Sequence, residues 1–138
     1  MTIQRATVGD ADALVAFWAA AGASMGNTDN ADCVRSAIVY SRAVMLLAMD
    51  QGRIVGTLLG TFDGWRGHMY RLVVDTTQRR RGIATSLVRE MEQLFKEWGV
   101  KRVNVLVERD RPWAAAFWTA VGYPRDERMD RHVASLGA

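Results

Sequence analysis

The sequence has few residues that could form a disulfide or hold a metal ion. Cys33 is the single cysteine among 138 residues, so an internal disulfide is excluded. The two histidines, His68 and His132, lie far apart, and with one cysteine they do not make a zinc site. No run is long and apolar enough to span a bilayer, and no secretory signal is recognisable. We therefore expect a cytoplasmic protein with no metal and no membrane partner.

The overall composition is typical of a folded protein. Apolar residues make up 49% and charged residues 24% of the chain. This length predicts one domain over residues 1–138. The net charge of +3 is mildly basic, which permits an anionic ligand without requiring nucleic acid.

Hydrophobic periodicity predicts alternating helices and strands in the order β-α-α-β-β-β-α-β-α-β. We expect helices over 7–21, 31–41, 82–98 and 113–121, with Asp110 as an N-cap of the last one. We expect strands over 2–6, 44–49, 54–62, 68–75, 102–107 and 128–136.

One stretch, residues 72–85, carries the clearest functional pattern. An apolar run, Leu72 to Val74, predicts a buried strand, and three consecutive arginines and Gly82 follow it before a helix. The first N–H groups of a helix have no intrahelical partner, and the helix dipole favours negative charge there. Gly82 would let the backbone approach a ligand, because glycine has no Cβ. The stretch predicts a phosphate site.

These residues resemble the acyl-CoA signature of the GNAT N-acetyltransferases, Arg/Gln-x-x-Gly-x-Gly/Ala, which stands here as residues 79–84. A second stretch, Val107 to Tyr123, resembles the segment that the family writes as Val-x-x-x-Asn-x-x-Ala-x-x-Phe-Tyr-x-x-x-Gly-Phe. The element order is also that of the family. Residues 55–57, 60, 63–64, 66–67 and 70 are similar to the YpeA-like bacterial subgroup.

The resemblance implies a mixed α/β (α+β) fold and a site for acetyl-CoA. The sheet would have about six to seven strands flanked by four helices, with splayed parallel strands at the cofactor. The main chain of Leu72 to Val74 would bind the pantetheine arm, and the Val74 N–H would stabilise the oxyanion. The full set of implied cofactor-binding residues is Leu72, Val73, Val74, Arg79, Arg80, Arg81, Gly82, Ile83, Ala84, Thr85 and Arg111.

The catalytic acid and base are less directly indicated. Trp118 stands where many relatives carry a tyrosine acid, and an indole N–H cannot donate a proton near neutral pH. Glu108 is the best candidate base, on the same strand face as Asn104 and Leu106. Its alternative role is a surface carboxylate paired with Arg109 or Arg111. Tyr70 is the alternative proton shuttle, and His68 is another.

The leading hypothesis is an acetyl-CoA-dependent N-acetyltransferase that acts on a primary amine by direct attack in a ternary complex. A small molecule, a peptide or protein N-terminus, or a lysine would fit. The alternatives are a non-catalytic acyl-CoA-binding module and a nucleic-acid-binding protein. Relatives often dimerise, so a homodimer is an option. Four residues would border the acceptor groove or serve as core or lid: Trp18, Met25, Tyr40 and Trp65.

Overall fold

The computed structural model describes residues 1–78 and 82–137. The chain divides into two compact units, Met1–Asn104 and Val105–Ala138, which we describe separately. The prediction of one domain over 1–138 stays a prediction. No helix in the described ranges is long and apolar enough to cross a membrane. In chain order the elements are β1 (Thr2–Arg5), α1 (Ala11–Ala20), α2 (Ala31–Val39), β2 (Ala43–Asp50), β3 (Arg53–Phe62), β4 (Gly67–Val74), α3 (Ile83–Glu97), β5 (Val103–Val105) and α4 (Pro112–Ala120).

The strands form one mixed sheet in the order β1-β2-β3-β4-β5. Strands β1 to β4 pair in antiparallel fashion, with Leu46 opposite Leu58 and Thr57 opposite Val73. This is the mixed α/β architecture that the sequence predicts. The sheet has five strands in the described residues, however, where six to seven were expected.

The predicted closing strand over 128–136 is wrong. The described part of that segment contains no strand, and its large apolar residues are exposed: Met129 by 69%, Val133 by 71% and Leu136 by 90%. Their spacing of four and three residues does not give a strand one apolar face, because side chains alternate with a period of two. The segment therefore offers the sheet no hydrophobic face to bury.

The two faces of the sheet are covered by different helices. Buried residues of α1 and α2 pack against one face of β2, in a cluster of Ala11, Leu14, Trp18, Val34, Met45 and Leu47. Helix α3 covers the other face with a stripe at helical spacing, made of Ile83, Leu87, Val88, Met91 and Phe95. This stripe is the apolar face that α3 buries against the sheet.

Glycines in β3 and β4 let α3 lie close to the sheet. A Cβ added at Gly60 would come within 2.2 Å of the Met91 Sδ, and one at Gly56 within 2.8 Å of the Ile83 Cγ2. Real Cβ atoms do not approach other atoms so closely, so a larger residue would push α3 outward. These glycines fix the position of the α3 N-terminus relative to the end of β4.

Candidate functional site

The end of β4 leads into an ordered turn. The Asp75 carboxylate accepts hydrogen bonds from the Thr77 N–H at 3.0 Å and from the Thr77 hydroxyl at 2.9 Å. Both bonds favour the ionised form and hold the pKa of Asp75 below its usual value. Asp75 is thus a turn residue that follows the end of β4. A cavity of about 110 Å³ lies beside it, lined by Phe17, Ala20, Ala21, Asp75 and Thr76.

Helix α3 begins directly after Gly82. Gly82 adopts the left-handed conformation, with φ 76° and ψ 11°, and apart from its chain neighbours an added Cβ there would meet no atom of the described residues within 4 Å. Its carbonyl accepts the first helical hydrogen bond from the Ser86 N–H at 3.0 Å. Gly82 has no side chain to cap the first-turn N–H groups of Ile83, Ala84 and Thr85, which suit an anion. Arg79, Arg80 and Arg81 lie outside the described residues.

Strand β4 is longer than its neighbour β5. The Gly67 N–H donates to the Arg102 carbonyl at 2.9 Å, next to the start of β5, and β5 has three residues whereas β4 has eight. The Asp75 N–H donates toward β3, to the Val55 carbonyl at 2.9 Å. Because N–H groups of successive strand residues point to opposite edges, the Val74 N–H points away from β3. An extended ligand could therefore hydrogen-bond to β4 there.

The middle of β4 contains a bulge that sequence reasoning missed. Thr57 pairs with Val73 but Leu59 pairs with Tyr70, so β4 carries one extra residue at this point. Arg71 there has φ 55°, a left-handed conformation that costs an L-residue roughly 1–2 kcal/mol. The Arg71 carbonyl accepts from the Thr57 hydroxyl at 2.8 Å, which helps to compensate. No local sequence pattern marks this bulge, because its supporting contacts come from distant residues.

Side chains on one face of β4 include two of the proposed proton carriers. The register places Tyr70 opposite Leu59 and His68 opposite Thr61, so both point to the same face, with ring centroids 6.1 Å apart. Tyr70 is 40% exposed. The His68 Nε2 lies 3.3 Å from the Asp63 Oδ2.

Glu108 and Arg111 lie together in the unit 105–138. The Arg111 Nε donates to the Glu108 Oε2 at 2.9 Å, whereas Arg109 pairs with Asp130 at 3.2 Å. The alternative role for Glu108, a carboxylate paired with Arg111, is therefore present in the structure. Glu108 does not share a strand face with Asn104 and Leu106, and this prediction is wrong, because β5 ends at Val105. The Asp110 N-cap is also wrong, since Arg111 occupies that position.

The remaining aromatic residues divide into core and surface. Trp118 is buried and makes edge-to-face contacts with Phe117 and Tyr123, at centroid distances of 5.4 and 5.3 Å. Trp18 is also buried, so its role is in the core. The other three residues assigned to an acceptor groove are exposed: Met25, Tyr40 and Trp65.

Comparison with known proteins assigns the family. Residues 14–123 match the family model described as the Acetyltransferase (GNAT) family, and the chain belongs to that family. Its reaction is acetyl transfer, and acetyl-CoA is the acyl donor. The likeness to the YpeA-like subgroup stays a prediction.

Solved structures share the fold along nearly the whole chain. A predicted acetyltransferase from Clostridium acetobutylicum, solved with acetyl-CoA, has a TM-score of 0.80 at 14% identity, covering 96% of this chain and 95% of that one. An aminoglycoside acetyltransferase from an uncultured soil metagenomic sample, in complex with sisomicin, has 0.79 at 19% identity, covering 99% and 96%. A ribosomal-protein-alanine N-acetyltransferase from Brucella melitensis has 0.74 at 16% identity, covering 99% of each chain.

Proposed function

We propose that the protein transfers the acetyl group of acetyl-CoA to a primary amine by direct attack within a ternary complex. The observation that carries this proposal is the junction of β4 and α3 in a chain of the GNAT family. There, the eight-residue strand β4 is followed along the chain by Gly82 in the left-handed conformation and by the first turn of α3, which has no side-chain cap from Gly82.

The donor would bind along this junction. The first-turn N–H groups of α3 suit the pyrophosphate, with arginine charge added from 79–81. The pantetheine amides would pair with the outer edge of β4 as an additional strand does. The residues assigned to the donor are Leu72, Val73, Val74, Arg79, Arg80, Arg81, Gly82, Ile83, Ala84, Thr85 and Arg111.

The reaction needs no covalent acyl-enzyme. The amine nitrogen attacks the thioester carbonyl carbon, and the Val74 N–H donates to the oxygen that becomes negative. The carbon–sulfur bond then breaks, and the CoA thiolate leaves and takes up a proton from water. Holding both reactants together can contribute about 7–11 kcal/mol to lowering the barrier in favourable systems.

A base must remove the proton from the attacking amine. Glu108 is the first candidate, and its carboxylate accepts a hydrogen bond from the Arg111 Nε at 2.9 Å. Tyr70 is the second candidate, supported by its position on β4 and by its 40% exposure. Either residue would act directly or through a water molecule.

Exposed aromatic residues support an amine as the acceptor. Tyr40, Trp65 and Tyr70 are exposed aromatic residues, which suit a small amine or a peptide N-terminus better than a bulky apolar ligand. The acetyltransferases with related folds include proteins named for aminoglycosides and for a ribosomal-protein alanine. We propose a small-molecule amine, a peptide or protein N-terminus, or a lysine as the acceptor.

A second candidate function is a non-catalytic acyl-CoA-binding module. Trp118 favours it, because this buried residue replaces the tyrosine acid of many relatives. Nothing in the described residues favours nucleic-acid binding in a similar way, and a homodimer stays a prediction.

Turnover of acetyl-CoA against a mixed panel of amines separates the two candidates. The panel should hold polyamines, aminoglycosides, amino acids and peptides with free N-termini, and the products should be identified by mass spectrometry. We expect CoA release that depends on the amine, together with an N-acetylated product. Tight CoA binding without transfer to any amine would instead support the binding module.

A further inference from the structure

The loop between α1 and α2, residues 21–30, is attached to β4 by one side chain. The Arg71 guanidinium donates to both carboxylate oxygens of Asp29, with the Nε at 3.0 Å from Oδ1 and a terminal nitrogen at 2.5 Å from Oδ2. It also donates to the Ser24 carbonyl at 2.6 Å. The side chains of Arg71 and Asp29 are only 18% and 17% exposed. This is a bidentate, largely desolvated pair, which is the strong form of such an interaction.

Asp29 passes this attachment on to the loop itself. Its Oδ2 accepts from the Gly26 N–H at 2.7 Å, and its own N–H donates to the Gly26 carbonyl at 3.1 Å. The loop is thus held to Arg71 at Ser24 and at Asp29, and it is closed on itself between those two residues. Its shape depends on the position of the guanidinium.

The position of the guanidinium is in turn fixed by the core. It lies over the ring of Trp18, 5.1 Å from the centroid. The Trp18 indole N–H donates to the Thr57 hydroxyl at 3.0 Å, and that hydroxyl donates to the Arg71 carbonyl at 2.8 Å. Trp18 and Thr57 are buried, so both ends of Arg71 are held by residues that do not move freely.

The location of this cluster determines what it could influence. Arg71 lies between Tyr70 and Val74 on the strand to which we assign the thioester, and its side chain is on the face covered by α1 and α2. The phosphate-binding groups that we assign are at the N-terminus of α3, which packs on the opposite face. The attachment to Arg71 therefore places the loop next to the part of β4 to which we assign the thioester.

We propose that Arg71 is a positioning residue for the amine acceptor, which it serves by holding loop 21–30 through Asp29 and Ser24. This inference rests on the proposed function. We call the contacts of Arg71 with Asp29 and Ser24 the clamp. Without the clamp, the loop would sample other positions, and the binding surface for the amine would be less well ordered. The donor site should remain intact, because the groups assigned to it on β4 are main-chain groups of Leu72 to Val74 and the others lie at the N-terminus of α3, so none of them is the Arg71 side chain.

Arg71→Gly is the most informative variant. Glycine adopts the left-handed conformation without strain, so the bulge should persist while the clamp is lost. We expect the KM for an accepted amine to rise by about 10- to 100-fold, the effect of losing a hydrogen bond to a charged group. The KM for acetyl-CoA and the Kd for CoA should stay within about twofold. Arg71→Lys should recover part of the loss, since it keeps the charge and the contact with the Trp18 ring.

Arg35→Met is the matched control. Arg35 pairs with Asp32 at 2.6 Å within helix α2, and this pair is exposed, with side-chain exposures of 41% and 91%. Its removal should change neither KM. Equal rises in both KM values for Arg71→Gly, or no rise in the amine KM, would overturn the proposal.

Hydrogen exchange of the loop amides separates failure of this inference from failure of the proposed function. Amides of residues 22–29 should exchange faster in Arg71→Gly than in the wild type, with or without turnover. If the wild type binds CoA but acetylates no amine, the proposed function fails and exchange alone decides whether the clamp exists. Unchanged exchange in the variant would refute the clamp.

Discussion

Gly82 offers a test of the phosphate site that separates charge from backbone strain. Gly82→Asp and Gly82→Asn introduce side chains of nearly equal size at a position with φ 76°, where no other described residue has an atom within 4 Å of an added Cβ. Both should lose roughly 1 kcal/mol of stability from the left-handed conformation, or about 4 °C in Tm. Only the aspartate adds a negative charge where the donor phosphates are expected.

The size of the charge effect follows from Coulomb's law. Two unit charges 4 Å apart repel by about 1 kcal/mol in water and about 4 kcal/mol near a protein surface. Relative to Gly82→Asn, Gly82→Asp should therefore weaken CoA binding by about 5-fold at least and by up to about 1000-fold. The difference should shrink as salt is added, because the charges are screened.

Titration calorimetry with CoA measures the effect, and Gly99 supplies the control. Gly99 has φ 78° and open space around it, but it follows the C-terminal end of α3. Gly99→Asp should carry the same strain and charge while leaving the Kd for CoA unchanged. Equal Kd values for Gly82→Asp and Gly82→Asn, or an equal loss in Gly99→Asp, would refute a phosphate site at Gly82.

Three further predictions concern the proton route and the turns. Glu108→Gln should lower turnover at pH 7 by about 10²- to 10⁴-fold, and the deficit should be smaller at higher pH. Tyr70→Phe should have a turnover near that of the wild type. If a pH–rate profile instead shows the large loss in Tyr70→Phe and none in Glu108→Gln, Tyr70 is the proton shuttle. Trp118→Phe should lower Tm because it removes buried ring contacts, but it should leave the single-turnover rate within about tenfold, below the loss expected for a general acid. The pKa of Asp63 is lowered, first by the hydrogen bond from the Arg66 N–H and then by that from the Trp65 N–H. The ionised carboxylate therefore stabilises the folded turn fully at pH values above its unfolded pKa of about 4. This stabilisation is lost as the pH falls through the lower pKa of the folded state. Urea unfolding should show Asp63→Asn less stable than the wild type at pH 7, with the gap closing at acid pH; a constant gap would contradict the lowered pKa.

Much of the fold could be predicted because it depends on local patterns. The stripe at helical spacing from Ile83 to Phe95 places α3, and the apolar run in β2 marks a buried strand. The sequence predicts that the helix starts at Gly82, and in the structure Gly82 is the left-handed residue directly before α3. The strand expected over 128–136 failed because β-propensity without an apolar face of period two does not make a strand.

The clamp at Arg71 could not be predicted in this way. Its contacts join residues separated by 39 positions between Trp18 and Thr57, and by 42 between Arg71 and Asp29. No window of the sequence contains both partners, and a β-strand pattern predicts extended backbone rather than φ 55° at an arginine. The prediction that Glu108 lies on a strand face was wrong for a related reason, because the length of β5 depends on its pairing and not on the apolar pattern alone.

The fate of the acetyl group tests the central claim most directly. The wild type should be mixed with acetyl-CoA that is radiolabelled in the acetyl group, with an accepted amine, and then denatured at successive times. Direct attack predicts that label leaves the thioester only when the amine is present, that it appears in an N-acetylated product, and that none stays on the precipitated protein. Label bound covalently to the protein, or label that never reaches an amine, would contradict the account.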